Sequence, residues 1–268
     1  MTESLLALGK LAAVGVLAFL GTMYLMQDRL LFHPQPLAEP RRTEIKQRFP
    51  AVEEVFLEAD GVKLHAWHLK AGAGAPLVLY FGGNAEDVSW MIGEAAQKAP
   101  GASWLLLSYR GYGASGGSPS AATLTADALR WHDHAVKEFK PARIFAFGRS
   151  LGSGPAVELA AARPIAGVVL VTPFDSLASV AKHHYWYLPV DLLLRHRFDS
   201  IGLAPKIAAR LLCIAAERDY VIPPEHARRL YEAWAGPKQW VLLPGADHNA
   251  TDGEPGFWPG IRAFLQQS

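Results

Sequence analysis

The chain has 268 residues, half of them hydrophobic, and a formal net charge of +1 with Lys and Arg scattered along it. This length and composition allow one large buried core, so a single folded domain is expected. Without a basic cluster, nucleic acid is not expected as a partner. The single cysteine, Cys213, cannot form an intrachain disulfide and lies in an apolar run, which favours a core position over a reactive thiol.

An apolar segment lies near the start of the chain. Residues 5–26, LLALGKLAAVGVLAFLGTMYLM, carry Lys10 as their only charge. As a helix at about 1.5 Å per residue they would cross the roughly 30 Å hydrocarbon core of a bilayer. The following MQDRLLFHP offers no small-residue cleavage site, so residues 1–27 are predicted to be an uncleaved single-pass anchor. An amphipathic or core helix is the alternative, disfavoured because the run has no polar face and no partner helix pattern nearby. Basic residues after the span favour a cytoplasmic catalytic domain.

Residues 28–50 form the second predicted unit. They include HPQPLAEPRR, with three prolines in a polar setting. Such composition is typical of an extended linker between a membrane and a domain. The folded domain is then expected to cover residues 51–268, and a chain starting near Glu44 is expected to fold by itself.

The domain pattern is that of an α/β protein. VEEVFLEA and VKLHAWHL flank Asp60-Gly61, a strong hairpin signal. Later runs apolar on both faces predict buried parallel strands at 76–82, 103–109, 143–148, 166–172, 211–216 and 239–244. Helical patterns lie between them near 86–98, 121–139, 151–162, 223–235 and 255–267. The repeated β-α-β pattern predicts a mostly parallel sheet of about eight strands with helices on both faces.

Ser150 lies where one of these strands turns into a helix, in FAFGRSLGSG. A side chain two residues before or after it would collide with the neighbouring strand and helix, so Gly148 and Gly152 are a steric requirement. The serine is left exposed at a sharp turn at the carboxyl edge of the sheet, where active sites of open parallel sheets lie. We interpret this turn as a nucleophile elbow.

A serine nucleophile needs a base that is itself oriented by an acid. Of the ten histidines, His248 follows the last predicted strand, from which it can reach the elbow. Asp219 ends the strand before it and is the predicted acid. Asp175, which ends an earlier strand, is the rival, whereas Asp247 would project away from the ring of its sequence neighbour His248.

The oxyanion formed in acyl transfer requires two hydrogen-bond donors. YFGGNAED supplies a loop in which Gly82 and Gly83 let the backbone pass close to a substrate. The predicted donors are the backbone N–H groups of Asn84 and Leu151. A phosphate-binding loop is disfavoured, because neither the P-loop lysine nor the G-x-G-x-x-G spacing is present.

The stretches GRSLGSG, ERDYVIP, ADHN, DRLLFHP, YFGGNAE and YRGYGASGGSPS resemble the α/β-hydrolases. Within them, the likeness is to a membrane-anchored branch that includes acyl-protein thioesterases, lipid hydrolases and proteins labelled serine aminopeptidases. It extends over nearly the whole chain. One departure is that the family usually has a histidine where this chain has Gly82. The loop residue Arg110, which matches a family position, is interpreted as a structural ion-pair or carbonyl-binding residue.

The interval 173–208 is too long for a simple crossover and contains HHYWYLPVDLLL, which predicts a small lid. Its Tyr185, Trp186 and Leu188 are the predicted substrate-pocket residues, suited to an alkyl chain. The predicted function is a membrane-anchored serine hydrolase that cleaves esters or thioesters of small-molecule or lipid-linked acyl substrates. No metal or other cofactor is expected. A serine peptidase and a non-catalytic binding protein remain alternatives, and the sequence leaves the oligomeric state open.

Overall fold

The computed structural model describes residues 2–267, so Met1 and Ser268, the outer ends of the predicted anchor and domain, lie outside the described residues. The strands are β1 (Glu53–Ala59), β2 (Val62–Leu69), β3 (Leu77–Phe81), β4 (Ser103–Ser108), β5 (Ile144–Arg149), β6 (Gly167–Val171), β7 (Arg210–Ala216) and β8 (Lys238–Leu243). They form an eight-stranded sheet in the order β1-β2-β4-β3-β5-β6-β7-β8.

The direction of each strand follows from its connection. β1 and β2 are antiparallel and joined by Asp60-Gly61, whose φ angles of 52° and 73° are those that a tight hairpin turn needs. β2 pairs antiparallel with β4, and the six strands from β3 to β8 are parallel to one another. The predicted α/β-hydrolase fold with a mostly parallel sheet of about eight strands is confirmed.

Helices cover both faces of this sheet. Alternate residues of each strand point to opposite faces, so the apolar side chains on both faces must be buried under helices. The helices are α1 (Thr2–Leu31), α2 (Glu39–Arg48), α3 (Trp90–Lys98), α4 (Ala121–Glu138), α5 (Ser153–Ala162), α6 (Leu177–His184), α7 (Val190–Leu193), α8 (Ser200–Leu203), α9 (Pro224–Ala233) and α10 (Phe257–Gln266). One core contains residues of α4, α5 and α9, and the other contains residues of α2, α3 and α10. In β3, Leu79 enters the first core and Tyr80 the second.

The N-terminal helix α1 has 30 residues, none of them buried, and is long and apolar enough to cross a membrane. It continues beyond the predicted boundary at residue 27 and ends at Leu31. Three short helices, α6, α7 and α8, fill the interval between β6 and β7. These helices occupy the interval 173–208, for which a lid is predicted.

The expectation that residues 28–50 form an extended linker is wrong. Ten of them make up α2, and Pro40 lies in its first turn, where a missing N–H is tolerated. Phe32 and Ile45 are buried, each with 2 % of its surface exposed. Arg42 and Lys46 both lie 2.6 Å from the Glu54 carboxylate on β1. The segment therefore packs on the domain and does not separate it from α1.

Candidate active site

Ser150 occupies a strained turn between β5 and α5. Its φ is 51°, a left-handed conformation that non-glycine residues rarely adopt. A Cβ at Gly148 would overlap the Gly152 carbonyl, and a Cβ at Gly152 would overlap the Phe81 carbonyl on β3. The two glycines thus let the turn close tightly against the neighbouring strand, with the serine at its apex.

His248 lies in hydrogen-bond contact with this serine, and Asp219 lies in hydrogen-bond contact with His248. His248 Nε2 is 2.9 Å from Ser150 Oγ, and His248 Nδ1 is 2.7 Å from Asp219 Oδ2. The other carboxylate oxygen of Asp219 accepts the backbone N–H groups of Val221 and Ile222. With Nδ1–H donating to the carboxylate, Nε2 carries the lone pair and can accept the serine proton. The three residues named from the sequence therefore form one connected chain.

The rival carboxylates are engaged elsewhere. Asp175 lies 2.7 Å from His226 Nδ1 and 2.6 Å from Arg229 Nε. Burial raises the pKa of the Asp175 carboxyl, but the bonds from His226 and Arg229 outweigh it, and the pKa is lowered. Asp247 caps its own turn by accepting the backbone N–H groups of residues 249 and 250.

The oxyanion loop follows β3 and passes beside the serine. A Cβ built on Gly83 would lie 3.7 Å from Ser150 Cβ. The Asn84 side chain holds the loop from the other side: its Nδ2 donates to the Leu31 carbonyl over 2.7 Å, and its Oδ1 accepts the His33 N–H over 3.0 Å. The end of α1 is thus bonded directly to the predicted oxyanion residue.

Glu86 is a site residue that the sequence reasoning missed. Its Oε2 accepts the Gly83 N–H over 2.6 Å, and its Oε1 accepts the Tyr80 hydroxyl over 2.6 Å and the Trp90 indole N–H over 2.8 Å. Burial, with the adjacent Glu86 charge, raises the pKa of Tyr80, so its hydroxyl stays a donor at neutral pH. The carboxylate therefore folds the oxyanion loop back on itself.

The position of Glu86 also accounts for Gly82, where the family usually has histidine. A Cβ at Gly82 would lie 2.8 Å from Val88 Cγ1 and 3.1 Å from the Glu86 carboxylate. A larger side chain would displace that carboxylate. A glutamate three residues after a glycine pair was the available sequence signal, but only the folded loop reveals what it binds.

Arg149, the residue before the serine, was missed as well. Its guanidinium lies 3.9 Å from Glu86 and over the Trp90 ring, 5.3 Å from the centroid. It also donates to the Asn249 carbonyl over 3.1 Å. Arg149 therefore links the oxyanion loop to the loop that carries His248.

Two of the three predicted pocket residues line a cavity, and one does not. Tyr185 and Leu188 are among the residues around an apolar cavity of about 310 Å³ between the lid and α1. Trp186 lies outside it with 81 % of its surface exposed, so its assignment to the pocket is wrong. The neighbouring Tyr185 contributes to the cavity wall although 51 % of its surface is exposed.

Similarity in sequence to other proteins extends over nearly the whole chain. An uncharacterized protein of Mycobacterium tuberculosis is 37 % identical over 98 % of this chain and 94 % of its own length. An uncharacterized membrane protein of Saccharomyces cerevisiae is 29 % identical over 96 % and 95 %, and the alpha/beta hydrolase domain-containing protein WAV2 of Arabidopsis thaliana is 28 % identical over 80 % and 79 %. The chain belongs to the α/β-hydrolase superfamily. No family model matches it.

Solved structures agree on the fold. A bacterial membrane phospholipase A superposes with a TM-score of 0.65 at 16 % identity, over 99 % of this α/β-hydrolase chain and 98 % of its own. A monoacylglycerol lipase of Paleococcus ferrophilus gives 0.57 at 21 % identity, over 75 % and 98 %. Together with the sequence relatives, these neighbours support a hydrolase.

Proposed function

We propose that this protein is a membrane-anchored serine hydrolase that cleaves carboxylic ester or thioester bonds of acyl substrates. The observation that carries the proposal is the unbroken contact from Ser150 Oγ through the His248 ring to Asp219, at 2.9 and 2.7 Å. Hydrogen-bonded nucleophile, base and orienting acid are the parts that acyl transfer requires.

The reaction proceeds in two acyl transfers. Ser150 Oγ attacks the substrate carbonyl while His248 Nε2 takes the hydroxyl proton, and Asp219 stabilises the imidazolium. His248 then gives that proton to the leaving alkoxide or thiolate, and an acyl-enzyme remains on Ser150. Water, deprotonated by His248, attacks the acyl-enzyme, and His248 then gives that proton to the departing Ser150 Oγ, which releases the carboxylic acid and restores the free serine.

The carbonyl oxygen becomes negative in both steps and needs donors. The proposed donors are the backbone N–H groups of Leu151 and Asn84, and removal of one such donor typically costs about 10² to 10³ in rate. Leu151 lies at the entrance to α5, where the positive end of the helix dipole adds to the stabilisation. Glu86 and the asparagine side chain hold the second donor in place.

Labelling with a fluorophosphonate tests the nucleophile. The full chain in detergent should form a covalent adduct at Ser150, and Ser150→Ala should abolish it. Ser118→Ala is the matched control, because Ser118 is exposed and lies in a different loop. An adduct on another serine, such as Ser153, would overturn the assignment.

The bond that is cleaved is tested with three acyl derivatives: a p-nitrophenyl ester, an acyl thioester and an amino-acid p-nitroanilide. The proposal expects turnover of the ester or the thioester. Turnover of the anilide alone would favour the peptidase. No turnover of any of them, together with no labelling, would favour a binding protein.

Anchoring by α1 is the second part of the proposal. Its support is the exposed apolar length of the helix and the relative that is named a membrane protein. After sodium carbonate extraction the full chain should remain in the membrane pellet, as expected of a spanning helix. Recovery in the supernatant would contradict an anchor.

A further inference from the structure

The last two turns of α1 are held against the lid by specific polar contacts. Gln27 Nε2 donates to the Leu193 carbonyl over 2.5 Å, and Gln27 Oε1 accepts the Arg195 N–H over 2.8 Å. Asp28 lies 2.8 Å from the Arg195 guanidinium and also contacts His196. A helix that served only as a tether would need none of these bonds.

Between these contacts lies the apolar cavity of about 310 Å³, which we call the α1–lid groove. Its walls are mostly aliphatic and come from both elements: Met23, Gln27, Leu30, Leu31, Ala181, Tyr185, Leu188, Val190, Leu193 and Leu194. Ligand pockets occupy about 300–1,000 Å³, so this volume suits a single slender apolar group. From Met23 to Leu31 the helical wall is about 12 Å long.

One end of the α1–lid groove lies next to the predicted reaction centre. Leu31 forms part of the wall, and its carbonyl accepts the Asn84 side-chain amide over 2.7 Å. Asn84 follows Gly83, whose Cα hydrogen faces the Ser150 side chain. A residue of the groove wall therefore bonds directly to a residue of the predicted oxyanion loop.

The other end of the groove lies where α1 would leave the bilayer. No charged residue occurs from Leu11 to Met26, and the polar Gln27-Asp28-Arg29 follows at once. This change marks the boundary between hydrocarbon and head groups, where the ester bonds of lipids also lie.

The outer surface of the lid is suited to the same boundary. Trp186, Tyr187 and Leu192 are exposed by 81, 62 and 82 %. Trp and Tyr are enriched at membrane interfaces, where their rings are buried and their polar atoms stay hydrated. These three side chains of the lid therefore point away from the sheet, on a surface suited to a membrane interface.

We infer that the α1–lid groove binds the acyl chain of a membrane-resident ester or thioester, so that α1 is one wall of the substrate site as well as the anchor. The inference rests on the proposed hydrolase function. The acyl chain enters from the bilayer without leaving an apolar environment, and its carbonyl reaches Ser150 past Asn84. Each methylene that the groove buries should raise kcat/KM about fourfold.

Substitutions that fill the groove with a larger side chain test whether it binds the acyl chain. Full-length Leu30→Trp and Leu188→Trp chains in phosphatidylcholine vesicles should lose at least tenfold in the ratio of kcat/KM for p-nitrophenyl decanoate to that for the acetate. Leu25→Trp is the matched control, because Leu25 lies on the same helix, is 74 % exposed and does not line the groove. An unchanged ratio in the groove variants, or an equal loss in Leu25→Trp, would overturn the inference.

Photo-crosslinking separates this outcome from a failure of the proposed chemistry, since it needs no turnover. A long-chain fatty acid with a terminal diazirine, irradiated with the Ser150→Ala chain in the same vesicles, should label the groove-lining lid residues Leu188, Leu193 and Leu194. Leu188→Trp should reduce that labelling at least fivefold, and Leu25→Trp should leave the extent of labelling unchanged. Labelling of the lid without esterase activity in the wild type would overturn the hydrolase proposal alone, whereas activity without lid labelling would overturn the groove.

Discussion

Asp219 is bound on both carboxylate oxygens, to the His248 ring on one side and to two backbone N–H groups on the other. These bonds fix the carboxylate before any substrate arrives. The ring is thereby held with Nδ1 as the donor, which leaves Nε2 to accept the serine proton. The orientation of the base is a local property of the loop after β7.

Asp219→Asn tests the acid. An amide can hold His248 in the wrong tautomer, so kcat should fall by about 10⁴ while the fold is kept. Steady-state kinetics with a p-nitrophenyl ester measures the loss. Asp175→Asn is the comparison, because Asp175 binds His226 and Arg229 and makes no contact with His248. A larger loss from Asp175→Asn would make Asp175 the acid.

Glu86→Gln tests the positioning of the oxyanion loop. The amide keeps an acceptor but loses the charge that shortens the bond from the Gly83 N–H, so the loop should shift. We expect kcat to fall by about 10- to 100-fold with KM nearly unchanged, less than for the loss of a donor itself. The neighbouring Asp87→Asn is the control, because Asp87 bonds Ser89 and not the loop glycines. Equal effects of both variants would contradict the assignment.

Strand β2, the second strand of the hairpin, carries two buried histidines, His65 and His68. Burial is the main cause that lowers the pKa of His65 and of His68 to about 4 in each case. Within residues 2–267, His68 Nδ1 has no hydrogen-bond partner, and its ring stacks on Phe139 at 4.3 Å. His68 therefore acts as an apolar ring in its neutral form.

This burial predicts acid sensitivity. The unfolded histidine has a pKa near 6.5, so between about pH 6.5 and 4 the unfolded chain binds more protons and the free energy of unfolding falls as pH falls. His68→Phe keeps the stacking and removes the titration. Its free energy of unfolding should therefore drop less than that of the wild type between pH 7 and 5, by roughly 2 kcal/mol, in urea titrations. If the free energy of unfolding of His68→Phe fell as steeply with pH as that of the wild type, the assignment of acid sensitivity to His68 would be contradicted.

Across the whole molecule, contacts join α1 to the hydrolase domain. Phe32 is buried, Leu31 and His33 bond Asn84, and Asp28 contacts the lid. Because of these contacts, the segment after α1 is part of the folded domain and not an independent linker. The end of α1 and the residues that follow it therefore contribute to the surroundings of the candidate site.

Two truncations test this coupling. A chain starting at Gln27 keeps the contacts of the end of α1 and should remain folded and react with fluorophosphonate at nearly the wild-type rate. A chain starting at Glu44 loses Phe32, whose burial is worth about 3–5 kcal/mol, and the bonds to Asn84. It should unfold at lower urea and react more slowly. Equal stability and labelling of the two chains would restore the independent linker.

Much of the fold was predictable because its signals are local. Strands buried on both faces must be apolar throughout, and Asp60-Gly61 has the residues that a tight hairpin turn needs, so the sheet could be predicted nearly strand by strand. The glycines around Ser150 were equally informative, since steric overlap at that turn excludes any other residue. Parallel strands deliver their loops to one edge, which is why Asp219 and His248 were identified in advance.

The residues that meet at Ser150 could be predicted from local patterns in the sequence, whereas their surroundings depend on contacts that form only in the folded chain. Glu86, Arg149 and the end of α1 act through contacts between loops that are far apart in the chain, and no periodicity records such contacts. Residues 28–50 looked extended because their composition is polar and proline-rich. They fold because burying Phe32 and Ile45, with ion pairs to Glu54, outweighs that local preference.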